Sequence, residues 1–320
     1  MMAGEEHRII RRLIFRLVKK HVAGSTTASV RKTAVQLSSK GMRPTITCLN
    51  DHVATQLNAR YNINAYAQLA RQLSRLNIAA DLSVRLSQLG YMLDSGAAVE
   101  GIDEILTSLG KGSKLWIESE PCIPATEPMR VCESHKDSEM GFEMPAALLL
   151  NGSSARYLGT KSRYVKLTTY EADTTHAVGK PKADATAAKN QASAQLNGKQ
   201  KHPGHPADMV RLFTDSIDRL AGKCTGITVF SQDEKFMERL LKANRGHRKN
   251  LAFEVPLGYN PKRVNALMKS KANVGVYVSY GKDWIPYAIN RLTEGRIRDI
   301  AMKLLDGEHK VGSNAEQQGR

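Results

Sequence analysis

Near the end of the chain a tyrosine and an arginine stand where they can meet. In NVGVYVSYGKDWIPYAINRLTEGR, from Asn273 to Arg296, Val274, Val276 and Val278 alternate as in a strand. A turn falls at Gly281-Lys282-Asp283, and Trp284, Tyr287, Ala288, Arg291 and Leu292 recur at helical spacing. A strand that hands over to a helix in this way puts Tyr277 near the strand's carboxyl end and Arg291 early in the helix. A phenol and a guanidinium then converge on one spot, and a planar guanidinium suits an acidic group because it can donate two parallel hydrogen bonds. Taken alone, Arg291 and Glu294 read better as a helix-surface ion pair worth roughly 0.2–0.5 kcal/mol, and Tyr277 equally well as ordinary packing.

The elements that would position these residues follow from periodicity. Ser25 or Thr26 caps a helix that runs to Ser39 and stops at Gly41, and RPTITCLND from Arg43 reads as a strand. A helix from His52 to Asn77 delivers DLSVRLSQLG (Asp81 to Gly90), a second strand. A helix over Ser95 to Leu109 leads to KLWIESE, a third. Pro121, Pro124 and Pro128 argue for an irregular connection, and in GFEMPAALLL Pro145 counts against a central strand. SRYVKLTTY, TGITVFSQD, LAFEVPL and VGVYVSY supply strands five to eight, with helices at Met209 to Leu220, Glu234 to Asn244 and Pro261 to Lys271. Strands alternating with helices argue for a parallel sheet, and eight of them favour a distorted (β/α)8 TIM-type barrel over a doubly wound sheet, which periodicity alone leaves open. Several strands end in polar residues: Asn50-Asp51, Arg85, Glu118, Lys166, Ser231-Gln232-Asp233 and Tyr277. At the carboxyl ends of barrel strands these would face one cavity. Arg85 and Glu118 have a plainer role as interior ion-pair partners, and Asp233 as the N-cap of the helix beginning at Glu234.

The 320 residues divide into an N-terminal helical segment (1–42), a barrel (43–310) and a flexible tail (311–320). A disordered insertion, rich in Ala, Lys, Gln and Gly, spans about 178–206. Lys and Arg outnumber Asp and Glu by 47 to 31, a formal charge of +16, so an anionic partner has to be considered. Aromatic residues are only 6% and do not interleave with the basic ones, which argues against a single-strand stacking surface. Four scattered cysteines signal neither a zinc knuckle nor a disulfide framework. His202 and His205 are flanked by prolines and have no nearby third ligand, so no metal site is expected. The absence of a spanning apolar run or a cleavable leader leads us to expect a cytoplasmic protein. Its basic amphipathic segment HRIIRRLIFRLVKK (His7 to Lys20) either caps the barrel or rests on an anionic membrane surface.

The segment YVSYGKDWIPYAINRLTE resembles the Y-x-P-Y-G-x-D-W-x-P-Y-x-x-R-R-x-x-E signature that closes proline dehydrogenases. The likeness extends in order through most of the chain. HVAGSTTASVRKTAVQLSSKGMRPTITCLND resembles the family's entry, helix and first strand; SVRLSQLG resembles S-V-K-L-T-Q-L-G; IESE resembles L-D-x-E. RYVKLTTY resembles R-L-V-K-G-A-Y, VFSQDEKF resembles A-T-H-D-x-x, and LAFEVPLGY resembles the F-E-F-Q strand. What the resemblance implies is a barrel that holds FAD, oxidises L-proline to pyrroline-5-carboxylate and passes electrons to a quinone-type acceptor. It assigns Arg291 to the substrate carboxylate, Glu294 to orienting that arginine, and Tyr277 to walling the proline ring. Arg85 and Glu118 stand where the family has lysine and aspartate. Arg163 matches an arginine beside the flavin's reactive nitrogen, and Lys166 the basic residue three further on; Ser231, Gln232 and Asp233 stand where the family has Thr-His-Asp beside the cofactor.

The departures bear on activity. Asn290 replaces the first of the paired arginines, and losing a charge-assisted hydrogen bond costs about 1.5–3 kcal/mol. Leu167 replaces a glycine that allows close backbone approach, Pro145 or Ala146 falls where the family has a flavin-contacting glutamine, and Gln232 replaces an imidazole. Other readings of the same chain are a flavin-less barrel that binds an anionic partner such as RNA, and an unrelated barrel enzyme acting on an anionic substrate.

Overall fold

The computed structural model describes residues 20–50, 53–120, 122–150, 164–168, 206–247, 249–282 and 284. The first helix, α1 (Thr27–Ser38), begins where the sequence supplies a cap: the Thr26 hydroxyl accepts from the Ser29 N–H, and the Ser29 hydroxyl accepts from the Thr26 N–H. Its spacing buries Val30, Ala34 and Leu37. There follow β1 (Arg43–Cys48), α2 (Gln56–Arg75), β2 (Asp81–Val84), a 3-10 turn (Leu86–Leu89), α3 (Ser95–Ser108), β3 (Leu115–Ile117), α4 (Thr126–Ser134), β4 (Met140–Pro145) and α5 (Ala146–Leu150). Then come β5 (Tyr164–Thr168), α6 (Pro206–Leu220), β6 (Gly226–Phe230), α7 (Glu234–Ala243), β7 (Leu251–Pro256), α8 (Pro261–Lys269) and β8 (Asn273–Tyr280).

The eight strands pair in chain order, all parallel, and β8 pairs with β1 to close the barrel. Closure excludes the doubly wound sheet. Thr45 lies opposite Asp81 on one side and Tyr277 on the other, Glu143 opposite Lys166, and Phe230 opposite Glu254. This register sorts the side chains by parity. Ile46, Leu82, Ile117, Phe142, Leu167, Val229, Phe253 and Val278 belong to the apolar layer under the helices, while Asp81, Ser83, Glu118, Lys166, Glu254 and Tyr277 alternate with them and face the barrel's axis. The main core is thus the shell between strands and helices, and the lumen is polar. Beside β8 the outer layer is supplied by α1, which packs against both β1 and β8.

Local differences from the sequence expectations have physical causes. Helix α2 starts at Gln56 rather than His52 because Thr55 caps it, accepting from the Asn58 N–H. The connection after β3 contains the helix α4 despite its prolines; Pro128 sits in the first turn, where a backbone N–H has no intrahelical acceptor to lose. Pro145 closes β4 opposite Thr168, so a proline is accommodated at the strand's last residue between two neighbours. The segment from His7, the tract 178–206 and the tail 311–320 lie outside the described residues, apart from Lys20 and Pro206.

Candidate active site

Short strands place the chemistry. Strand β2 ends at Val84, so Arg85 is already on the loop that opens the 3-10 turn, and β3 ends at Ile117, so Glu118 heads its loop. Tyr277 lies within β8. At the carboxyl-terminal mouth the Tyr277 hydroxyl donates to Glu118 Oε1 at 2.6 Å, and Arg85 Nε lies 4.0 Å from Glu118 Oε2. All three are buried, at 6%, 5% and 9% exposure. Burial works against the Arg85 charge, but Glu118 leads the groups that outweigh it, and the guanidinium's pKa is raised. The Arg85 Nε–H has no hydrogen-bond acceptor among the described residues, because 4.0 Å is too long for one.

Beneath this trio lies a second layer. Lys166 is wholly buried and pairs with Glu254 at 2.6 Å. Its ammonium also lies 4.9 Å from the centre of the Trp116 ring and 5.4 Å from that of Tyr277. Burial opposes this charge too; Glu254 first, then Glu143, outweigh it and raise the pKa. Phe230 meets Tyr277 edge-on, with ring centres 5.7 Å apart.

Arg85 is held by groups that pattern reading passed over. Gln88, 4% exposed, donates to the Cys48 carbonyl at 2.8 Å and the Asn50 carbonyl at 3.2 Å, and its side-chain oxygen accepts from the Tyr66 hydroxyl at 3.3 Å. Asn62 donates to the Gln88 carbonyl, and Glu120 accepts from the Ser87 N–H. The 3-10 turn that carries Arg85 is therefore tied to β1, α2 and the β3 loop. Glu254 was also missed; the signal was present, since it is the lone carboxylate in the apolar run LAFEVP and stands at an inward position.

The predicted residues therefore divide. Arg85, Glu118 and Tyr277 come together. Lys166 lies below them, engaged by Glu254. Ser231 is buried at the end of β6, Gln232 is exposed beside it, and Asp233 caps α7, accepting from the Phe236 N–H at 3.1 Å. Arg163, Asn290, Arg291 and Glu294 lie outside the described residues. Leu167 points into the apolar shell, away from the lumen.

No family model matches the sequence. The chain is 21% identical over 280 residues to proline dehydrogenase 1 from Bacillus subtilis subsp. natto, covering 86% of each protein, and equally to that of Bacillus subtilis strain 168. The structure matches proline utilization A from Bdellovibrio bacteriovorus with a TM-score of 0.66 at 12% identity over 89% of this chain. The sequence is thus similar, at a divergent level, to proline dehydrogenases over most of its length. A second proline utilization A, from Corynebacterium freiburgense, superposes with a TM-score of 0.63 at 14% identity over 96% of the chain. At such identities these structures speak to the fold, and the chain spans about a third of their length, 33% and 34%. The Bacillus proline dehydrogenases are matched over 86% of their sequence. Among the described residues no helix is long and apolar enough to cross a membrane.

Proposed function

We propose that this chain oxidises L-proline or a close relative to the corresponding cyclic imine, passing hydride to FAD and electrons onward to a quinone-type acceptor. The observation that carries the reading is the orphaned Arg85 Nε–H beside the Glu118–Tyr277 pair: a buried cationic donor without an acceptor is suited to a substrate carboxylate. The sequence match to proline dehydrogenases supports it.

Residues at the described mouth support a flat cofactor there. Pro145, Phe230 and Pro256 stand at inward strand-end positions and offer apolar surface, while Thr168, Ser231 and Gln232 are polar groups at neighbouring strand ends. These, with Arg163, would hold FAD; Lys166 and Asp233 have other partners. FAD, when bound, supplies the hydride acceptor.

The protein's own residues do the positioning. Arg291 and Arg85 grip the carboxylate, and Glu294 orients Arg291. Tyr277 walls the ring, its hydroxyl fixed by Glu118. Such a clamp presents the carbon beside the ring nitrogen in one orientation. The deciding experiment is an absorbance spectrum of the purified protein before and after proline. A flavin band that proline bleaches is expected. No band after adding FAD would overturn the reading in favour of a flavin-less binding barrel, and a band that proline leaves intact would overturn the substrate.

A further inference from the structure

Among the described residues the opposite end of the barrel is not filled. Around β1 to β5 the lower lumen is packed: Arg43 donates to Asp81 at 2.5 and 2.9 Å, Trp116 donates to the same carboxylate at 3.2 Å, and Tyr164 meets the edge of Trp116 with ring centres 6.3 Å apart. Around β6 to β8 the equivalent inward positions are Gly226, Ala252 and Gly275. Three positions that carry little or no side chain leave a cavity of about 590 Å³ at the amino-terminal mouth, with Glu254 at its inner end. A barrel lumen is ordinarily filled by layers of side chains, and this volume lies within the range that encloses a small organic ligand.

Its charges show which ligand it would take. Arg43 is neutralised by Asp81, and Glu254 by Lys166. Lys114 remains. Its ammonium lies 4.6 Å from the centre of the Tyr164 ring, it is partly buried, and no described carboxylate forms an ion pair with it. Burial leads the influences on this amine and its pKa is lowered, as expected for a cation lacking a close counter-ion. Lys249 adds a second positive charge at the lining. The residual charge is positive, and the walls beside Lys114 are the aromatic rings of Trp116 and Tyr164.

We propose that the amino-terminal cavity is a second binding site, distinct from the carboxyl-terminal mouth, for a small ring-bearing carboxylate whose acid group meets Lys114 and whose ring lies in the space left by Gly226, Ala252 and Gly275. The occupant is an anion rather than an amine because the carboxylates of the cavity already have cationic partners.

Indole fluorescence reads this directly. The chain has two tryptophans, Trp116 and Trp284, so in a Trp284→Phe background the emission comes from Trp116, on the cavity wall. Benzoate, titrated at constant ionic strength, is the probe, with benzylamine as the same ring of opposite charge. A saturable change with benzoate and none with benzylamine is expected. Lys114→Met should weaken benzoate binding roughly tenfold or more, as losing a charge-assisted hydrogen bond does. Ala252→Leu fills the cavity and keeps every charge, so it should abolish the response while the carboxyl-terminal mouth is unaltered. No saturable response, equal binding of benzylamine, or unchanged affinity in both variants would each overturn the proposal.

Discussion

Tyr277 and Glu118 are 159 residues apart in the chain, and the hydroxyl of one donates to the carboxylate of the other at 2.6 Å across the closed mouth of the barrel. The bond is charge-assisted and almost wholly removed from water, the setting in which a hydrogen bond is strongest and its loss most costly. Tyr277→Phe keeps the ring but removes the donor, and should destabilise the fold by about 1.5–3 kcal/mol. If Tyr277 walls the substrate, kcat/KM for proline should fall at least about tenfold, with the flavin band unchanged. Glu118→Gln keeps an acceptor for the hydroxyl but strips the buried Arg85 of its leading counter-charge, so it should lower stability at least as much. Stopped-assay kinetics beside thermal melts separate the two effects; a fully active Tyr277→Phe would remove this pair from the reaction.

Lys166 and Glu254 form an ion pair of the kind that is costly to break from one side. Lys166→Met should cost about 3–5 kcal/mol, since it leaves a carboxylate buried without its cation. The double variant Lys166→Met, Glu254→Leu should recover most of that loss. The pH dependence follows from the raised lysine pKa: above the ordinary value of 10.5 the folded state holds this proton while the unfolded state releases it. The pair's contribution is therefore complete below pH 10.5 and declines as pH rises toward the folded value. Chemical denaturation through that window should show a steeper alkaline loss for the wild type than for the double variant.

Much of this was legible in the chain. The eight strands, their order and the capped α1 follow from alternation and turn residues, because a two-layer α/β barrel imposes one apolar parity on every strand. The meeting of Arg85, Glu118 and Tyr277 followed from their places at or near strand ends. What escaped was pairing inside the lumen. Lys166 was read as a cofactor contact from its place near a strand end; its ion pair with Glu254, two strands away, could not be read from the chain. Tyr66 falls on the buried face of α2, but the partners of its hydroxyl and of the Gln88 amide, which ties the 3-10 turn to the end of β1 and to α2, are distant in sequence and leave no periodic signal. The open amino-terminal mouth was equally hidden: Gly226, Ala252 and Gly275 become a void only once the register sets them side by side.

Asp233 offers a clean choice between two roles. It accepts from the Phe236 N–H at the start of α7, so Asp233→Ala should lower stability by about 1 kcal/mol, and Asp233→Ser should restore most of it. Flavin content, measured from the absorbance of the purified variants, should be unchanged in both. Loss of flavin at intact stability would show that the carboxylate contacts the cofactor instead.

Arginine chemistry at the mouth gives the last test. Arg85 presents a buried Nε–H without an acceptor among the described residues, and the proposed function supplies one in the substrate carboxylate, shared with Arg291. With Asn290 in place of a second adjacent arginine, each remaining guanidinium carries more of the clamp. Arg291→Ala should therefore abolish proline-dependent dye reduction while leaving flavin bound. Arg85→Ala should reduce kcat/KM by roughly one to two decades, the loss of one charge-assisted contact. Arg85→Lys keeps the charge but not the planar fork, so it should recover part of that loss. A structural role for Arg85 would instead lower thermal stability in Arg85→Ala without changing KM, because the group would then act on Glu118 alone. If Arg85→Ala folds and oxidises proline with wild-type kinetics, the orphaned donor is not the carboxylate's partner and the clamp rests on Arg291.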